Sequence, residues 1–439
     1  MYRFQGWIMI LKFRNCTSIG ILGVVAALTF NTGSARAQVV PGQALEDAFI
    51  VACGVASGTL LTLCTTANGI NGSFQLSGDG QASVSPGQTL TSNASAIGRA
   101  YTQTDGVQNR LEEDRKEKAG RPTGRSAGED AAFGQLSMYL NLGGEEVDRN
   151  RLNDVDQETG YDGWKTGFQI GADYRIGDRL VVGALIGLDH SETKFDADVA
   201  APQGAVPFVP GDNQGGARSD SAILNVYSSY SVTDNFYVDG TVGVGYTDYT
   251  FDRNFIFQSS GRAFATDAAT TGFTHGYEVN AGVGMGYDFY HNALSIGPYV
   301  RANYARSKIS EYTEEDSNGS GLNMNVDEDT STSFTGVLGL QASYAFSQDW
   351  GVFIPQVRVE YEHEFANDVR TVTSSFAQSS STATVALTTD SPDRSYANIG
   401  GGVLFILPNG WMPFIDVEVL VSYEQLQRQR YTGGLRVEF

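Results

Sequence analysis

Cysteine appears three times and histidine four times in 439 residues. So few thiols and imidazoles exclude a disulfide-knotted scaffold and leave no clustered ligand set for zinc or iron, because His190, His275, His291 and His363 are scattered. No cofactor is expected. Positive charge is scarce as well: 29 Lys and Arg stand against 50 Asp and Glu, a formal net charge of -21. That balance excludes a polyanion such as nucleic acid as a partner. Long hydrophobic runs are missing from the body of the chain, whose mean hydropathy is -0.21, so it offers no apolar stretch of roughly 20 residues for a membrane helix.

Glycine and aromatics are plentiful instead, with 52 Gly, 21 Tyr and 24 Phe. Strands with one apolar and one polar face give this mixture of low hydropathy and many aromatics. The first 37 residues read differently. Arg3, Lys12 and Arg14 flank or precede an apolar stretch from Thr17 to Phe30, and Ala35-Arg36-Ala37 supplies small residues for a peptidase. Residues 1–37 are therefore expected to be a cleaved secretory signal, with Met9 as an alternative start. Export leads to an oxidising compartment, where Cys53 and Cys64 can close a short structural disulfide once Cys16 has left with the signal. A lipidation site at Cys53 is disfavoured, because Glu46 and Asp47 sit where an apolar helix belongs.

Five stretches share one layout: Tyr174 to Leu180, Tyr230 to Phe236, Tyr287 to Leu294, Tyr344 to Trp350 and Phe405 to Trp411. Each has an aromatic residue, a tight turn of Gly, Asp, Asn or Pro type, and then usually another aromatic or a Leu. They recur about every 57 residues, about 61 for the last, which indicates an array of hairpins. The flanking runs alternate by twos. Leu180, Val182, Ala184, Ile186 and Leu188 oppose Gly183, Gly187 and Asp189; Phe353, Pro355, Val357, Val359 and Tyr361 oppose Gln356, Arg358, Glu360 and Glu362. By contrast, residues 195–217, 251–273, 313–331 and 365–392 are expected to be long polar loops. Tight turns on one side and long loops on the other are the signature of an outer-membrane barrel.

Five hairpins give ten strands, and residues 429–439 and 133–143 supply two more, so the expected fold is an all-β transmembrane barrel of about 12 antiparallel strands. A bilayer tolerates no unpaired backbone, so the last strand must close on the first. Phe439 then belongs to an interfacial aromatic girdle with Tyr174, Tyr230, Tyr287, Trp350 and Trp411, and its strand is a candidate signal for an assembly factor that adds a strand to the exposed edge.

The residues that carry this pattern resemble the translocator β-domain of autotransporters, the type V secretion systems of Gram-negative bacteria. They are "DGWKTGFQIGADYRIGDRLVVGALIGLDHSETKFD", "PQVRVEYEHEF", "DSPDRSYANIGGGVLFILPNGW" and the closing "LRVEF", and the likeness runs from about Gly128 to Phe439. The resemblance implies a twelve-stranded barrel with a helix in its pore, residence in the outer membrane among lipid and lipopolysaccharide, insertion by the barrel-assembly machinery, and export of an N-terminal passenger by a monomer. Only about 90 residues lie between Gln38 and Gly128, so the domains are expected to be a signal (1–37), a minimal passenger (38–91), a helical linker (92–127) and the barrel (128–439).

Residues 92–118 lack strand patterning and fit a polar helix capped by Ser92 or Asn93. Arg110, Arg115, Lys116 and Lys118 make its end basic, while inward positions of the barrel include Asp173, Asp239, Glu278, Asp288, Glu360, Glu362, Asp416 and Glu418, with Arg301 and Arg358 among them. A basic helix in an acid-lined lumen would offset charges that a partly desolvated pore penalises, and about twelve strands leave room for one helix. Other motifs carry less. His363 between Glu362 and Glu364 points away from both. Gly282 to Gly286 imitates a dinucleotide loop inside a strand. Asp316, Asn318, Ser320, Gly321 and Asp327 have calcium-loop offsets but no flanking helices. No catalysis is expected. The leading function is an anchor and exporter of the chain's own N-terminal segment; the alternative is a small-solute, cation-preferring pore gated by the helix.

Overall fold

The computed structural model describes residues 41–66, 87–118, 136–150, 158–197, 215–258, 265–366 and 368–438. Three helices come first: α1 Pro41–Cys53, α2 Gly58–Thr66 and α3 Gly87–Lys118. Twelve long strands follow: β1 Leu136–Arg149, β2 Tyr161–Ile176, β3 Leu180–Phe195, β4 Gly215–Ser231, β5 Phe236–Gln258, β6 Ala265–Tyr287, β7 Leu294–Ile309, β8 Asp329–Tyr344, β9 Gly351–Glu364, β10 Ser395–Ile406, β11 Trp411–Val421 and β12 Leu426–Glu438. Each pairs antiparallel with its neighbours in sequence, and β12 returns to β1 with Leu140 opposite Leu435. The sheet is a closed barrel without free edges. It has to close, because hydrocarbon offers unpaired amides no partner.

The period of two sets inside from outside. One row at common register, Leu140, Ile170, Ile186, Leu224, Val244 and Val279, faces outward with 41–56% of each side chain exposed. An apolar band of this extent is at home only in lipid. Below it, at the rim with the tight turns, Tyr174, Tyr230, Tyr287, Trp350 and Trp411 are exposed, as an interfacial girdle requires. Among the described residues no helix is long and apolar enough to cross a membrane.

Two expectations need correction at the opposite rim. Residues 251–273 are not a long loop: β5 and β6 run for 23 residues each, pairing as far as Gln258 with Ala265. At about 3.3 Å per residue they are much longer than a 30 Å hydrocarbon core, so the upper part of this hairpin stands above the membrane. Residues 313–331 and 365–392 also hold regular structure, a small sheet of Tyr312–Thr313, Met324–Val326, Thr371–Phe376 and Val385–Thr388. Alternation in short polar strands is a weak signal, and both segments read as loops. The first barrel strand starts at Leu136 and extends to Arg149, further than residues 133–143 suggested, and the last starts at Leu426.

Over this rim sit α1 and α2, joined by a disulfide between Cys53 and Cys64 with Cα atoms 5.5 Å apart. Phe49, Ala52, Leu60 and Leu63 share one buried core with Phe251 and Phe255 of the tall hairpin and with Met324, Val326, Val372 and Phe376 of the small sheet. The molecule thus has two interiors: this apolar cap and a polar lumen.

Candidate functional site: the helix-filled lumen

Helix α3 lies inside the barrel. It starts at Gly87, five residues before the predicted cap, so Ser92 and Asn93 lie within the helix rather than at its end. Both are buried, and Asn93 donates through Nδ2 to the Asp329 carboxylate at 2.7 Å. The capping preference of Asn misled the boundary, because a barrel wall supplied the partner instead.

The contacts of α3 run from one rim to the other. Thr89 meets the Tyr312 hydroxyl at 3.0 Å in the long-loop region, and Arg370 donates to the Leu90 carbonyl at 3.0 Å and to Asp329 at 2.8 Å. Deeper, Arg99 reaches Tyr249 (3.1 Å), Thr247 (3.2 Å) and Glu278 (3.7 Å). Gln103 donates to Asp189 at 3.2 Å, and Arg110 pairs with Asp173 at 2.6 Å near the tight-turn end of β2. The N-terminal end of α3 is therefore at the long-loop rim. Ala96, Ile97, Ala100, Val107 and Leu111 are buried along it, Val107 and Leu111 among Tyr139, Val181, Leu185 and Tyr227 of the wall. Gly282 sits close to the helix: a Cβ there would lie 3.1 Å from the Thr104 methyl, a tight approach that suits a small residue.

The charge arrangement differs from a basic plug in an acidic tube. Arg110 and Asp173 do pair, and Glu278 faces Arg99, a cation absent from the expected set. In mid-lumen the polarity is inverted. The helix carboxylate Asp105 lies 3.1 Å from both Arg301 on β7 and Arg430 on β12. Those arginines continue into the wall: Arg301 pairs with Glu360, which also accepts from Tyr299 at 2.5 Å, while Arg430 holds Glu145 at 3.2 Å and Glu418 at 3.3 Å. Lys165 meets Glu145 at 3.1 Å, and Arg358 bridges Asp416 (2.8 Å) and Glu418 (2.7 Å). Glu145, Glu360, Asp416 and Glu418 are thus neutralised within the wall, and Asp105 ties the helix into that web. Such pairs are worth most where solvent is scarce and every member has a partner.

The other expected residues fall as follows. Asp239 and Asp288 are buried on β5 and just after β6, the latter beside the turn, where Asn235 donates to its backbone carbonyl at 2.6 Å. Glu362 accepts from Asn398. Arg115, Lys116 and Lys118 belong to the last turns of α3, but their side chains, Phe439 and the signal all lie outside the described residues. The calcium-loop residues do not converge as a set: Asp316, Ser320 and Gly321 meet, while Asn318 and Asp327 contact other segments. Asp316 accepts from the Ser320 and Gly321 amides at 3.0 and 2.6 Å, Asn318 donates to Asp267 at 2.9 Å, and Asp327 accepts from Thr373. At the outer rim Arg149 lies 3.1 Å from both Glu158 and Asp390, and burial pushes the Glu158 carboxyl above the ordinary carboxylate range despite that arginine.

A twelve-stranded barrel threaded by an N-terminal helix has relatives. The autotransporter beta-domain family model matches residues 146–418. The chain belongs to the autotransporter β-domain family. Esterase EstA of Pseudomonas aeruginosa and Esterase EstA of Pseudomonas putida are each 25% identical over 246 residues, covering 55% of this chain and 33% of theirs. The chain therefore spans about a third of the length of these curated relatives. The translocator domain of autotransporter NalP from Neisseria meningitidis superposes with a TM-score of 0.53 at 15% identity, over 78% of this chain and 98% of that one, a likeness of fold. The protein carries an autotransporter translocator barrel, an outer-membrane domain that is not itself catalytic.

Arg99, Gln103, Asp105 and Arg430 are among the site residues that the sequence did not single out, as are Glu145, Lys165, Asp329 and Arg370. Helical spacing was the available signal: Arg99, Gln103 and Arg110 follow one side of the helix over about three turns.

Proposed function

We propose that this autotransporter barrel delivers its own N-terminal segment to the cell surface and keeps it there. The observation that carries the proposal is the course of α3: it passes through the lumen with residues 41–66 at the long-loop rim, the rim that faces outward in barrels of this kind. A signal in residues 1–37 would bring the chain to the periplasm, and the strand ending at Phe439 would present the edge on which the assembly machinery closes the sheet. Lipid and lipopolysaccharide surround the apolar band, and the barrel works as a monomer, since closure leaves no edge for a second copy.

Anchoring and export ask no catalysis of the barrel. Among the described residues no histidine joins a serine on one side and a carboxylate on the other: His190 contacts Asp220 at 2.7 Å, and His363 contacts Ser395 at 2.8 Å. The alternative of a gated cation pore has weaker support, because α3 is bound to the wall from Thr89 to Arg110 and α1 and α2 pack on the loops at the long-loop rim.

Protease treatment of intact cells tests the proposal. A cleavage site placed between residues 69 and 82 should be cut without lysis. If it is protected until the outer membrane is broken, the segment is not displayed and the proposal fails.

A further inference from the structure

We propose that the outer loops of this barrel form a receptor for the chain's own α1–α2 hairpin, folding around it and holding it without need of the covalent link through α3. The inference rests on the reading that the barrel delivers its N-terminal segment, and adds what happens to that segment on arrival.

The small loop sheet does not have the makings of an independent unit. Its strands are two, three, six and four residues long, shorter than a sheet needs to stand alone in water. One face, with Met324, Val326, Val372, Phe376, Val385 and Leu387, is nevertheless at most 3% exposed. What covers it includes Ala48, Phe49, Ala52, Leu60 and Leu63 of the hairpin, with the Phe49 and Phe376 rings 5.7 Å apart, edge to face. Without the hairpin that apolar face would meet water, so loops and hairpin order together.

Polar contacts select this occupant over any greasy helix. The first amides of a helix have no partner within it. Here Gln378 of the loop supplies one: its side-chain oxygen accepts from the Thr59 amide (2.8 Å), the Leu60 amide (3.2 Å) and the Thr59 hydroxyl (3.0 Å). Its carbonyl accepts from the Ser57 amide and hydroxyl at 2.9 and 3.0 Å, and its Nε2 donates to Asn323 at 3.0 Å. Ser379 donates to the Ala52 carbonyl at 3.0 Å and forms a bridge with Ala56. Gly321 is needed for the approach. Its φ is +78°, and a Cβ would fall 2.4 Å from the Leu60 nitrogen. The Cys53–Cys64 disulfide fixes α1 to α2 before docking, so less freedom is lost on binding. A loop region that orders only around exported cargo closes the outer mouth once the cargo has passed.

The test uses the full chain with a specific protease site between residues 69 and 82, purified in detergent and cut. The expected result is that the hairpin fragment stays with the barrel through gel filtration at low concentration, and that Phe49→Asp and Gln378→Leu each speed its release at least tenfold. Heat-dependent gel mobility confirms that both variant barrels are closed. Prompt loss of the fragment from the unsubstituted chain would overturn the inference, as would release from both variants at the unsubstituted rate. Display is scored separately, by cutting on intact cells, so a hairpin that is retained but never reaches the surface would sink the export reading and leave this one standing.

Discussion

Asp105 joins the helix to two arginines of the wall at once. Both of its partners, Arg301 and Arg430, are also held by wall carboxylates, so removing Asp105 strands neither arginine completely. The loss should be smaller than for an isolated buried pair, about 1–3 kcal/mol. Asp105→Ala is therefore expected to lower the temperature of the folded-to-unfolded gel shift by several degrees without changing the strand content seen by circular dichroism. An unchanged midpoint would mean that the contact with two arginines contributes nothing. The sequence offered Asp105 no prominence. It is one acid in a polar run, and its weight comes from Arg301 and Arg430, 196 and 325 positions downstream, converging on it.

Among the elements, the barrel strands were legible and the cap was not. A strand in a closed barrel repeats one instruction, apolar out and polar in, and turns of the "YRIGDRL" kind mark its ends. Helix α3 was legible as a helix because it lacks alternation, but its start was placed five residues late and its charge logic was read from the basic end alone. The two short helices and the loop sheet gave no periodic signal, since their stability lies in contacts between residues 41–66 and residues 312–388. The filling of the lumen is testable at this scale. A barrel of about twelve strands has room for one helix about 10–12 Å wide, so deleting residues 41–118 should raise single-channel conductance in planar bilayers by roughly an order of magnitude. Equal conductance with and without the segment would show that α3 does not fill the pore.

The whole molecule combines two solvents in one chain. Its outer face is apolar and its lumen is charged, which reverses the arrangement of a soluble protein and explains a composition with low mean hydropathy and many glycines and, among the described residues, the lack of a helix apolar enough to cross a membrane. The tall β5–β6 hairpin, the loop sheet and α1–α2 make a cap above this cylinder, so the N-terminal segment is bound by the barrel as well as connected to it. All of these statements require the twelve strands to close. Closed barrels resist sodium dodecyl sulfate until heated, because every backbone amide is paired and opening breaks the ladder cooperatively. Electrophoresis of the purified full chain with and without boiling is the most direct measurement. The account predicts a compact, faster-migrating form that converts to the slower unfolded form only on heating; a single mobility under both conditions, from a sample with β-sheet circular dichroism, would contradict it.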